Sequence, residues 1–164
     1  MRKVAKRIFE HLTNMGYFLE INSAGNLVRE TWSGDVTLEN YKSAMAELRQ
    51  HPEYRQGMDG LADYRRARIM LSYNSMTMLA SLCSSAEKWR HVAIVVSRVV
   101  DYGLARMYQA LTESTGSHVK EFRIFMSIEE AERWLASVGS HTAKQGESGK
   151  YANETSFSST LISE

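Results

Sequence analysis

The chain has 164 residues, a formal net charge of +1, 43% hydrophobic residues and 24% charged ones. That length suits one soluble globular domain, and so balanced a charge excludes a global field favouring nucleic acid or an anionic membrane. One cysteine, Cys83, excludes an internal disulfide and fits a reducing, cytoplasmic setting.

Residues 1–15 read as a leader. Val4, Ile8 and Leu12 recur at helical spacing opposite Lys3, Lys6 and Arg7. The pattern is that of a short helix, either packed or lying on a membrane surface, and its small apolar face favours the packed form. No run approaches ~18 consecutive apolar residues, so no membrane span is expected.

The domain proper spans 16–138. GYFLEIN (16–22) is a predicted strand, SAGN (23–26) a turn and LVRETWSG (27–34) a second strand, with Val28, Glu30 and Trp32 on one face. Thr37 is placed to cap a helix whose face carries Leu38, Tyr41, Met45 and Leu48, and Pro52 ends it. GMDGLADY (57–64) is a weaker strand signal resting on Leu61 and Ala62. A helix over 72–88 follows, its stripe made by Met76, Leu79, Ala80, Cys83 and Ala86 and widened by Met78, Leu82 and Trp89.

HVAIVVS (91–97) is a continuous apolar run, the pattern of a strand buried on both faces of a parallel sheet. Val100, Leu104, Met107 and Leu111 define the next helix. HVKEFRIF (118–125) is the last strand, and its charges point to an edge position. Ser127 and Glu130 stand at capping-box spacing before a final helix with Ile128, Ala131, Leu135 and Val138 buried. From Gly139 to the end Ser, Thr, Gly and Glu dominate, the composition of a disordered tail. The order β-β-α-β-α-β-α-β-α predicts a mostly parallel sheet of about five strands, opened by a hairpin, with about four helices.

Little in the chain points to catalysis. No glycine-rich phosphate loop is present. None of His11, His51, His91, His118 and His141 has an i+4 histidine that would build a zinc site, so no metal and no cofactor is expected. His91 and His118 both open strands and are expected to face solvent. Cys83 reads as a buried small hydrophobe rather than a nucleophile. Glu129, Glu130 and Glu132 complement the dipole of the last helix. No nucleophile–base set is visible, and the chain is read as non-enzymatic.

The strongest candidate is GLADYRRARIMLSYNS (60–75). Read as a strand-to-helix loop, it places Asp63, Arg65, Arg66, Arg68 and Tyr73 beyond the carboxyl end of a parallel strand, where ligands of open α/β sheets gather. Arginine forks suit carboxylate or phosphate. The competing reading is a solvated loop whose arginines pair with nearby acids.

With that order in hand, "TWSGDVT", "GLADYR", "HVAIVVS", "GLARMYQAL" and "FRIFMSIEEAERWL" resemble the bacterial SpoIIAA-like proteins of the STAS-related group, over roughly residues 17–137. The resemblance implies a STAS-like α/β fold and a regulatory or ligand-sensing module. Its partner would be a protein or a small anionic or hydrophobic ligand, and the oligomeric state, a homodimer included, stays open. Switching members carry a phosphorylatable serine just after the third strand. Here Tyr64, Arg65 and Arg66 follow Asp63 in place of an Asp-Ser pair, which leaves Ser72 and Ser75 as candidate phosphorylation positions. The group also resembles CRAL-TRIO lipid carriers in topology. That implies a groove for an acyl chain, lined by Met70, Met76 and Met78.

Overall fold

The nine elements occur in the expected order. They are β1 (Gly16–Asn22), β2 (Leu27–Val36), α1 (Leu38–Gln50), β3 (Asp59–Ile69), α2 (Tyr73–Ala86), β4 (His91–Val95), α3 (Val99–Ser114), β5 (Glu121–Phe125) and α4 (Ile128–Glu147). The computed structural model describes residues 16–86, 89–116 and 119–147. The leader, His118 and residues 148–164 lie outside them.

Local chemistry explains the first turns of the chain. Asn22 accepts the Gly25 N–H at 3.0 Å, and Asn26 takes a positive φ of 51°, so β1 and β2 close as an antiparallel hairpin. Thr37 caps α1 through a capping box: Asn40 donates its N–H to Thr37 Oγ1, and the Asn40 side chain accepts the Thr37 N–H at 2.9 Å.

The strands lie in the sheet in chain order, β1-β2-β3-β4-β5, and every pair after the hairpin is parallel. A sheet wound in one direction with crossovers of one hand puts all its connecting helices on one face. Accordingly α1, α2 and α3 cover the face of Trp32, Tyr64 and Ile94. The other face, with Leu61, Ala93 and Val95, is left to α4, which brings Ala131, Trp134 and Leu135 against it. Trp134 meets the Phe125 ring at 5.6 Å and the edge of His91 at 6.1 Å. β5 ends the sheet, the edge place its charges predict.

β3 is longer than its sequence signal. It pairs with β4 only from Gly60 to Asp63, then runs on beside β2 to Ile69. The register slips by one residue between Thr31 and Ser33, so Tyr64 and Arg65 together oppose Trp32. Such a bulge exchanges the two faces of the strand beyond it. Before the bulge Tyr64 points into the core. After it Ala67 points in and Ile69 packs on the same cluster, while Arg66 and Arg68 are exposed. Without the extra residue the two arginines would face the core.

The expectation of a disordered tail from Gly139 is corrected for its first part, since α4 runs on to Glu147. Apolar periodicity stops at Val138, but Ala143, Lys144 and Gln145 are intrinsically good helix formers. No helix among the described residues is long and apolar enough to cross a membrane.

Candidate functional site

The candidate stretch is not a loop. Arg65, Arg66 and Arg68 stand on β3 itself, in a two-stranded β2–β3 ribbon that outruns β4. Three charged groups in four residues hid a strand whose Arg66-Ala67-Arg68-Ile69 alternation was its true signal.

Most of the ribbon's charge is spent internally. Arg65 forks onto Asp63 at 2.9 and 2.8 Å, and its backbone N–H adds a third bond at 3.0 Å. Partial burial raises the Asp63 carboxyl, but these bonds outweigh it and hold the carboxyl below its ordinary value. Arg68 forks onto Asp35 of β2 at 2.8 Å twice, which holds Asp35 low as well. Next to them Arg98 clasps the buried Asp101 of α3 at 2.6 and 2.8 Å. Ser97 ties the β4–α3 connection to the ribbon by donating to the Arg65 carbonyl at 2.9 Å. Arg66 is exposed and closes no ion pair among the described residues.

At the ribbon's end Met70 is 52% exposed and Tyr73, the first residue of α2, 60% exposed. Ser72 stands at the helix start, where its hydroxyl accepts the Ser75 N–H at 3.1 Å and lies 2.9 Å from the Ser75 hydroxyl. Of the proposed groove-lining methionines only Met76 is buried. Met78, like Met70, is exposed, and so is Leu82. The exposure of Met78 and Leu82 on α2 is where the widened stripe fails.

A second polar constellation was missed. His91 is 2% exposed, not a solvent-facing strand end. Its Nδ1 lies 2.9 Å from Asp59, which also takes a fork from Arg90 at 2.8 and 2.5 Å. Burial raises the Asp59 carboxyl, yet the bonds from Arg90 and His91 hold it below its ordinary range. Asp59 and Arg90 border an open groove of about 850 Å³, with the Arg29–Glu132 ion pair (2.8 Å) on its wall.

Between the sheet and α1–α3 lie two abutting cavities of about 50 and 40 Å³ that share Tyr41, Tyr64, Ile94 and Tyr108. The first also meets Glu30, Cys83, Trp89 and Phe122. The second is almost wholly apolar, with Val36, Ile69, Met76 and Leu79. Both are far below the ~300 Å³ at which pockets for drug-sized ligands begin. Burial first, then neighbouring groups, push the phenols of Tyr41, Tyr64 and Tyr108 well above their ordinary range.

No family model matches the chain, and no curated protein does. Among solved structures, an uncharacterised DUF3478-family protein from Shewanella loihica, described as having a SpoIIAA-like fold, matches at a TM-score of 0.51 and 16% identity. The match covers 78% of this chain and 98% of that one. The fold is SpoIIAA-like. At that identity the likeness carries the fold alone. In this SpoIIAA-like domain, the described residues bring no three His, Cys, Asp or Glu side chains together for a metal ion. What the SpoIIAA-like sheet offers is a projecting, partly charged ribbon on one side and a small polar-aromatic interior on the other.

Proposed function

We propose that the protein is a non-catalytic, regulatory binding module of the cytoplasm, and that the end of the β2–β3 ribbon is where a protein partner docks. One observation carries this reading: exposed Arg66 on the ribbon is followed, past its end, by exposed Met70 and by exposed Tyr73 at the start of α2, while the ribbon's other arginines pair with acids. An exposed aromatic, a thioether and an uncommitted guanidinium are the residue types that dominate protein–protein contact energy. The partner surface would be apolar with an acidic group opposite Arg66. Ser72, exposed at the start of α2 beside this patch, is where a phosphate would alter its charge. The carrier reading is less well supported, because neither interior cavity has room for an acyl chain.

A pull-down from the source cells should compare wild type with the double variant Arg66→Glu/Tyr73→Ala. Both side chains are exposed, so stability should change by less than about 0.5 kcal/mol each. Loss of the captured partner with the thermal midpoint retained is the expected result. An unchanged set of partners would remove the ribbon from consideration.

A further inference from the structure

The larger-walled cavity has a composition that its size alone does not explain. Glu30 is 6% exposed, yet it lines a space whose other walls combine aliphatic side chains with five aromatic rings. Alternation on β2 puts it there: Val28, Glu30 and Trp32 all point to the helix-covered face. The Tyr17 hydroxyl and the Trp32 indole N–H donate to it at 3.3 and 3.4 Å, which fixes the carboxylate against the sheet. Trp32 is itself held between Tyr41 and Tyr64, with ring centroids 5.9 and 5.6 Å away and planes within 6° and 8° of parallel. Tyr41, Tyr64, Tyr108, Trp89 and Phe122 then surround the cavity from the sheet, α1, α3 and the β4 approach.

A carboxylate among aromatic faces is the chemistry that recognises an ammonium group. The rings present negative faces to a cation, and the carboxylate accepts its N–H bonds. A space of about 50 Å³ takes one or two water-sized groups of ~30 Å³ each. We propose that this cavity is a binding site for a small primary alkylammonium ion, with Glu30 accepting its hydrogen bonds and the rings of Tyr41, Tyr64 and Tyr108 against its alkyl end. The site lies inside the domain, apart from the ribbon, so it stands or falls independently of the docking reading.

Methylammonium chloride is the direct probe. It is titrated into the full chain at constant ionic strength, with methanol as the neutral molecule of the same heavy-atom count. The readout is the Trp32 indole N–H signal in a two-dimensional proton–nitrogen spectrum, because that group touches Glu30. The expected result is a saturable shift with methylammonium and none with methanol. Glu30→Gln keeps the shape but removes the charge, and binding should weaken about tenfold or more. Thr112→Leu enlarges a side chain on the cavity wall while leaving Glu30 in place, and should abolish the shift even if Glu30→Gln folds poorly. A non-saturating response, an equal response to methanol, or undiminished binding in a folded Glu30→Gln protein overturns the proposal and leaves the cavity to water only.

Discussion

At the scale of single residues, Asp59 carries the clearest consequence. It is almost fully buried and accepts bonds from both Arg90 and His91. Its carboxyl is held below the ordinary value of 3.8, so the folded state binds its proton more weakly than the unfolded chain does. The resulting stabilisation is complete above that ordinary value and is lost as pH falls through the depressed one. A thermal-melting series from neutral to strongly acidic pH should show the midpoint dropping below pH ~4. Asp59→Asn should flatten part of that drop and cost about 3 kcal/mol at neutral pH, because Arg90 is left without its counter-charge. A variant as stable as wild type would mean that Arg90 turns out to solvent at no cost. This constellation had no local signature: Asp59 and His91 stand 32 positions apart. The one available hint was that HVAIVV belongs to a strand buried on both faces, which places its first residue inside as well.

At the scale of elements, the β3 bulge decides which residues are core. The partner strand accommodates it with Gly34, opposite Ala67, at a φ of +73°. A side chain there meets the left-handed penalty of roughly 1–2 kcal/mol. Gly34→Ala should therefore lower the urea midpoint by a corresponding amount without changing the slope, and no change would mean that the ribbon relaxes to another backbone path. Helices were the more legible elements. Thr37 announced the start of α1 and Ser127 that of α4, since capping is written in adjacent residues. The hydrophobic faces of β2 and β4 were equally plain. β3 was not, because a bulge breaks strict alternation and a dense charge run imitates a loop. The end of α4 was invisible for a different reason: propensity, not an apolar stripe, marks its last residues. Of the candidate site, the residue types could be read but not their pairing, which depends on Asp35 lying across the ribbon 33 positions from Arg68.

At the scale of the whole molecule, the fold class followed from element order, and chain-order pairing makes the sheet simple to assemble. Each strand docks on the one made just before it. The two faces, however, are not completed together. Helices α1–α3 arrive between the strands they join, whereas the face of Leu61, Ala93 and Val95 waits for Trp134 and its neighbours on α4. A chain ending at Met126 should accordingly bind a hydrophobic dye and self-associate in gel filtration while keeping far-UV strand signal. A monomeric, dye-silent truncation would show that α4 is dispensable. During synthesis the same order means that a nearly finished sheet carries a bare apolar side until the closing segment has left the ribosome. The interval between completion of β5 and the emergence of α4 is then when this domain most needs a chaperone.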